Sequence, residues 1–427
     1  MRISVLRNIF RNLRPKIDEM NIEIITIGDE LLIGQVVDTN SAWMAEKLSE
    51  AGFVVNQITS IKDNHHSIFT AIDDGFKRSD ILLLTGGNGP TKDDITKNTL
   101  CNYFDDHLIM NDEVVKNIEA LFQQKKLVLN ELTRNQALVP KKSKVIQNKV
   151  GTAPILWFEK NGKVLVSMPG VPFEMRYAMN EEIIPRLTAA FETKTFLKQV
   201  FFTYGISESA LAIHLNEFEG NLPDGFALAY LPGGGVIRLR LSVKGEEHSD
   251  EMKKQAENLK NELGEYLLID SEGPLEQILA TTLKNKGLTI SLAESCSGGY
   301  IAHLLTTIPG SSSYFKGGIV SYADSSKKKL LYVKEANLEK YGAVSEQVVE
   351  EMAKGALSIF ETDCAIAVSG IAGPDGGTDV IPVGTVWICT IYKDIVVSNK
   401  YRFGNSREEN INRSATMAMV QMLRMIK

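Results

Sequence analysis

Cysteine is scarce and scattered. Cys101, Cys296, Cys364 and Cys389 form no C-x-x-C pair, which argues against a disulfide framework or a zinc knuckle and fits a reduced, cytoplasmic setting. Long apolar runs are missing as well: none reaches the roughly 18 residues of a membrane helix, so no membrane partner is expected. There is no basic excess either. With 47 Lys and Arg against 53 Asp and Glu the net charge is −6, so nucleic acid is not an expected partner.

What remains is 427 residues, 44% of them apolar, enough for two or three domains with separate cores. Residues 1–19 carry Arg2, Arg7, Arg11, Arg14 and Lys16, which interrupt every apolar patch and break the pattern of a secretory signal. They read as a disordered extension, or as a start upstream of Met20.

From Asn21 the chain alternates strand and helix. Ile22–Ile27, Phe53–Ile58 and Ile81–Leu84 read as strands, and Thr39–Ser41 and His65 open the helices between them. That order predicts a doubly wound parallel sheet over residues 20–193, with a ligand site beyond the carboxyl ends of its strands. Two loops fall there, Gly28-Asp29-Glu30 and Thr85-Gly86-Gly87-Asn88-Gly89-Pro90-Thr91-Lys92-Asp93-Asp94. Gly86, Gly87 and Gly89 let backbone approach a phosphate, and Asp93 and Asp94 could hold a divalent cation against it; a plain turn with acidic capping is the alternative. Residues 194–271 read as a small α+β module with a hairpin over Pro232-Gly233-Gly234-Gly235, joined to residues 272–427 by a linker at Ser271–Pro274. Its glycine loop has no lysine inside it, which points to a connecting or dimerising role rather than to RNA.

The densest chemistry lies between Thr289 and Lys329. Leu288–Leu292 reads as a buried strand; Ser297-Gly298-Gly299 opens a helix whose N-terminal amides favour an anion. Ser311, Ser312 and Ser313 follow the Pro309-Gly310 stop, Gly317–Tyr322 reads as a second strand, and Asp324 or Ser325 caps a helix beginning with three lysines. Lys327 precedes Leu330 and Leu331 by three and four positions and so shares their apolar face. An amine withdrawn from water releases its proton more easily, and a serine hydroxyl needs such a base to become a nucleophile. The only nearby histidine, His303, sits mid-helix among apolar residues and reads as packing. Pattern alone does not choose among the serines, nor between a catalytic lysine and a solvated face. Further on, Gly370-Ile371-Ala372-Gly373-Pro374-Asp375-Gly376-Gly377 follows a strand, and Arg413 lies on the last helix, a fixed charge suited to phosphate.

The segments AESCSGG, GSSSYFKGGIVSYADSSKKK, GAVSEQVVEEMAKGA, AVSGIAGPDGGTDVIPVGTVW and SREENINRSAT resemble the C-terminal amidase domain of the CinA family of competence- and damage-inducible proteins. Isolated versions of that domain are nicotinamide mononucleotide amidohydrolases. The resemblance implies that Ser312 is the nucleophile, Lys327 its base and Tyr322 a helper. It also puts Ser295, Gly298, Gly299, Gly370, Gly373 and Arg413 in the substrate pocket, with no cofactor. GDELLIGQVVDTNS, Asp63-Asn64, GGNGPTKDDIT, GTAP and MPGVPFEM resemble the family's molybdopterin-binding-like domain, and residues 194–271 its KH-like segment. That resemblance implies an N-terminal nucleotide site of Asp29, Glu30, Asp63, Gly86, Gly87, Gly89, Asp93 and Asp94, with Asp94 as ligand to a divalent metal and ADP-ribose pyrophosphatase as the activity. Ile155, where glycine is common, is expected to narrow that pocket. Small-molecule nucleotides and a second copy of the chain are the implied partners. The alternative is a nucleotide- or pterin-binding regulatory scaffold tied to competence or DNA repair.

Overall fold

A computed structural model describes residues 20–89, 95–191 and 193–427, so residues 1–19, Asp93 and Asp94 lie outside the described residues. The chain divides into two compact units. One holds the residues up to Phe196 with Lys244–Glu247; the other holds Leu197–Val243 and His248–Lys427, so the middle module and the C-terminal domain share a unit.

In the first unit β1 (Asn21–Ile27), β2 (Val54–Ile61), β3 (Ile81–Thr85), β4 (Lys144–Ile146), β5 (Ile155–Lys160) and β6 (Lys163–Met168) form a sheet of order β2-β1-β3-β6-β5-β4. The first four strands in that order run parallel, as expected. β5 runs antiparallel to β6, because the two-residue turn Asn161-Gly162 between them can only make a hairpin, and β4 runs antiparallel to β5. Both faces are apolar: Ile22, Ile24, Leu83 and Trp157 pack on one side, Ile25, Leu82, Leu84 and Phe158 on the other. Ile155 belongs to the first of these cores and is fully buried, so it fills the sheet instead of narrowing a pocket. The helix α1 (Thr39–Glu50) is capped one residue earlier than expected, by Asp38, whose carboxylate accepts from Ser41 N at 3.0 Å.

The second unit begins with β7 (Phe196–Thr203), the hairpin β8 (Ala227–Gly233) and β9 (Val236–Lys244), and β10 (Leu267–Asp270), with α2 (Ser249–Leu263) across them. It continues into β11 (Ile290–Glu294), β12 (Phe315–Val320), β13 (Cys364–Gly370), β14 (Thr385–Tyr392) and β15 (Ile395–Arg402), a sheet of order β12-β11-β13-β14-β15. β12, β11 and β13 are mutually parallel; β14 and β15 turn antiparallel. β12 starts and ends two residues earlier than the sequence suggests, and it is an edge strand. The helices α3 (Tyr300–Thr306) and α4 (Asp324–Leu331) flank β12 in the chain, α5 (Glu346–Phe360) packs one face of the sheet and α6 (Arg407–Ile426) the other.

The contact between α4 and α5 places Lys327. Gly355 of α5 lies against the end of α4 so closely that a Cβ there would fall 2.3 Å from the Leu331 carbonyl oxygen. The substitution Gly355→Ala is therefore expected to destabilise the second unit by about 1–3 kcal/mol, read as a lower denaturation midpoint; an unchanged midpoint would show that the helices are not held at this distance.

Candidate active site

Glu294, the last residue of β11, organises the carboxyl edge of the C-terminal sheet. Its side chain is buried and accepts from Gly299 N at 3.1 Å, Ile301 N at 3.1 Å and Ala302 N at 2.8 Å. The first-turn amides of α3, expected to bind an external anion, are thus occupied by the protein's own carboxylate. Gly298 and Gly299, at φ of 63° and 95°, supply the left-handed turn that brings those amides back over the strand end. The Glu294 carbonyl accepts from Ser321 N at 2.8 Å, which joins the serine-glycine loop to the exit of β12.

Lys327 sits beside this junction on α4, only 2% exposed, with Leu331 one turn on. Its ammonium donates to the Tyr322 carbonyl at 3.3 Å and to Asp324 Oδ1 at 3.1 Å. Asp324 is the first residue of α4, not its cap, and spends its carboxylate on Lys327; the residue at the cap position, Ala323, has no side chain to offer. Leu330, expected on the apolar face, is exposed. The Tyr322 ring is 60% exposed and its hydroxyl accepts from Arg407 Nη2 at 2.9 Å, while Arg407 Nη1 donates to the Gly373 carbonyl at 2.8 Å. Asn410, one turn along α6, donates to the Ala372 carbonyl at 3.0 Å and fixes the Gly370–Gly377 loop against that helix. Arg413 follows Asn410 by three positions, on the same side, half-buried, and forms no ion pair among the described residues.

Burial pushes the Cys296 thiol up to about 12, and this group also feels the charges of Glu294, Arg407 and Lys327, which places all four in one neighbourhood. Two hydroxyls in this region, Ser297 Oγ and Ser321 Oγ, are buried and have no hydrogen-bond partner. Ser295, also buried, is tied to β13 through its amide, which donates to the Val368 carbonyl at 2.9 Å. The structure therefore brings Ser295, Gly298, Gly299, Tyr322, Lys327, Gly370 and Gly373 to one sheet edge. Nearby, a cavity of about 350 Å³ lies between the β8–β9 hairpin, α3 and α6, with Arg238, Tyr300, Asn412 and Thr416 in its wall.

Ser312 is not among them. It is exposed in the turn Ser311–Ser313, before β12 begins. That turn is pinned to the opposite end of the sheet by Tyr314, fully buried, whose hydroxyl donates to the Leu305 carbonyl at 2.7 Å and whose carbonyl accepts from Ile290 N at 2.8 Å. At a strand rise of about 3.3 Å per residue, the length of β12 separates Ser312 from the exit where Lys327 lies by about 20 Å. One chain does not assemble the expected serine–lysine pair. Sequence reasoning also missed Glu294, Arg407, Ser297 and Ser321. Arg407 could be sought as the first residue of the closing helix, but nothing in the pattern marks its partners.

In the first unit the carboxyl ends of β1, β2 and β3 bring Gly28, Asp63 and Gly86–Gly89 together. Gly28 N donates to the Ile61 carbonyl at 3.1 Å, and a Cβ on Gly87 would fall 3.2 Å from both Asp63 carboxylate oxygens. Asp29 and Glu30 are exposed in the helical turn that follows. Thr96 Oγ1 and Asn88 Oδ1 are buried and unpartnered beside the glycines. Among the described residues no cluster of three or more His, Cys, Asp or Glu side chains is placed to hold a metal ion, so the described residues by themselves do not make the expected metal site.

Comparison with known proteins assigns the three segments. Residues 272–426 match the family profile described as the CinA C-terminal domain, residues 23–189 that of a probable molybdopterin binding domain, and residues 198–268 that of the damage-inducible protein CinA KH domain. A CinA-like protein of Flavobacterium psychrophilum is 42% identical over 405 residues, 94% of this chain and 97% of that protein. A putative competence-damage inducible protein of Caldicellulosiruptor saccharolyticus is 38% identical over 408 residues, 95% of this chain and 98% of its own. Among solved structures, competence/damage inducible protein CihA of Agrobacterium tumefaciens is 37% identical across 36% of this chain and 98% of its own, with a TM-score of 0.35. With three family segments in order and relatives matched along nearly their whole length, this chain belongs to the CinA family of competence- and damage-inducible proteins.

Proposed function

We propose that the C-terminal domain hydrolyses the carboxamide of nicotinamide mononucleotide to nicotinic acid mononucleotide and ammonia. The observation that supports this most is the buried Lys327 amine, at a sheet edge that also carries Ser295, the unpartnered Ser297 and Ser321 hydroxyls and the Arg407 guanidinium bound to Tyr322. In this reading a serine of the edge that holds Lys327, Ser295 and not the distant Ser312, bonds through its hydroxyl to the carboxamide carbon as its proton passes to Lys327. The tetrahedral oxyanion is met by backbone amides, each worth about 3 kcal/mol. Lys327 then returns the proton to the nitrogen, the C–N bond breaks and ammonia leaves. Water attacks the acyl-serine, giving the acid and restoring the hydroxyl. Arg413, without an ion partner among the described residues, is the group for the substrate phosphate. Tyr322 orients Arg407 and the loop at Gly373.

A second activity is proposed for the N-terminal domain, hydrolysis of the pyrophosphate of ADP-ribose. It is favoured by the approach of the Gly87 backbone to the Asp63 carboxylate at a carboxyl edge, with the unpartnered Thr96 hydroxyl and Asn88 amide oxygen beside it. No step is routed through a metal.

For the amidase, Lys327→Ala is expected to reduce ammonia release from nicotinamide mononucleotide by about 10²–10⁴-fold; turnover within a few-fold of wild type would overturn the role of Lys327. The cysteines provide a separate check. Burial raises the thiols of Cys296, Cys364 and Cys389 to about 12 and that of Cys101 to about 11. A raised thiol value means less thiolate at neutral pH, and thiolate is the form that alkylates. Iodoacetamide at pH 7.5 is therefore expected to leave ammonia release intact, whereas rapid inactivation would point to a cysteine nucleophile.

A further inference from the structure

The cavity of about 350 Å³ between the β8–β9 hairpin, α3 and α6 has no part in the chemistry proposed above, since Ser295, Tyr322, Lys327 and Arg407 all lie outside its wall. Its walls are fixed. The hairpin tip rests on α6, where a Cβ on Gly234 would fall 2.9 Å from Thr416 Oγ1 and one on Gly235 3.1 Å from Met417 Sδ. Below it, Phe202 and Val236 share one apolar cluster with Leu275 and Met419. The space is of the size that takes small molecules, about 300–1,000 Å³. Its polar groups are few and unspent: the side chains of Arg238, Glu276, Tyr300 and Asn412 line it, and none of them makes a hydrogen bond or ion pair among the described residues.

The charges indicate what the cavity takes. Along β9, Ile237, Leu239 and Leu241 enter the middle module's own core, so the alternate positions Arg238 and Arg240 share the face of Val236, toward the C-terminal domain. Arg240 Nε is buried without a partner, and a donor withdrawn from water is costly until an acceptor meets it. The two arginines start about 6–7 Å apart along the strand, close enough for both guanidinium groups to meet one phosphate. Glu276, at the start of the helix Leu275–Lys286, faces the same space with the opposite charge and pairs with neither arginine. Its carboxylate can accept from sugar hydroxyls and repels a second phosphate. The Tyr300 ring offers a flat apolar face, and Asn412 carries a donor and an acceptor on one planar group, as the edge of a base requires. We infer that this cavity binds a ribonucleoside monophosphate, with its phosphate on Arg238 and Arg240, its ribose on Glu276 and its base against Tyr300 and Asn412, at a site separate from the edge that holds Lys327. The inference does not depend on the amidase reading.

Isothermal titration of the full chain with adenosine monophosphate (AMP) tests this. Arg238 is exposed, so Arg238→Glu should leave the denaturation midpoint and ammonia release unchanged while weakening one equivalent of AMP binding by about 30-fold or more. AMP held at the N-terminal edge would be untouched by that change, so binding identical in wild type and Arg238→Glu, or no binding by wild type, would overturn the inference. At the Arg238-dependent site adenosine and ribose 5-phosphate should each bind about tenfold more weakly than AMP; ribose 5-phosphate bound as tightly as AMP would overturn the assignment to a nucleotide. Glu276→Gln removes the repelling carboxylate and should raise the affinity for the diphosphate ADP several-fold; an unchanged affinity would overturn the limit to one phosphate. Lys327→Ala should bind AMP as wild type does. Displacement of AMP by nicotinamide mononucleotide, together with a raised KM for ammonia release in Arg238→Glu, would make the cavity the substrate's own pocket and overturn the separate site, leaving the amidase in place. Arg238-dependent AMP binding by a chain that releases no ammonia would overturn the amidase and support the site.

Discussion

A single carboxylate holds the carboxyl edge of the C-terminal sheet together. Glu294 gives its side-chain oxygens to three backbone amides and its carbonyl to a fourth, so the serine-glycine loop, the start of α3 and the exit of β12 are all referred to one residue in the middle of a buried parallel sheet. Hydrogen bonds to a charged group contribute about 1.5–3 kcal/mol each, and the group is too deeply buried for water to replace them. Everything chemically active nearby is positioned relative to that anchor. Lys327 lies beyond the strand exit it fixes, Arg407 reaches it through Tyr322 and Gly373, and Cys296 lies within its electrostatic reach.

The two sheets use the same arrangement for different ends. In each, parallel strands deliver glycine-containing loops to one edge, where backbone can approach a ligand closely. In the N-terminal domain the glycines stand against an acidic side chain, Asp63; in the C-terminal domain they serve a cationic neighbourhood of Lys327, Arg407 and Arg413. The two carboxyl edges therefore carry opposite local charges in one polypeptide.

Much of this was legible in residue order. Runs such as Ile22–Ile27 and Ile81–Leu84, separated by amphipathic segments, carry enough period-two and period-3.6 information to place strands and helices, and the glycine loops fall where such sheets put them. The β5–β6 hairpin was not foreseen, because the Asn161-Gly162 turn was not weighed. The caps at Asp38 and Ala323 show how one residue of offset changes which side chain is free to act. The larger miss concerns distance. Ser312 and Lys327 are fifteen positions apart in the chain, yet the strand β12 runs between them and carries the two apart instead of folding them together. Likewise the free helix amides after Gly299 looked like an anion site because nothing in sequence announces that Glu294, five positions earlier, turns back to fill them.

The apolar interior of the C-terminal sheet does not end at its own domain. Phe202, Val236 and Leu268 of the middle module lie in the same continuous cluster as Leu279, Ile301, Met419 and Leu423. Such a seam makes the two parts cooperate in melting and forbids cutting between them without baring oil-like surface to water. The linker at Ser271–Pro274 is thus a covalent join across material already fused by its packing, and a shortened chain begun there would have to cover that seam with something else.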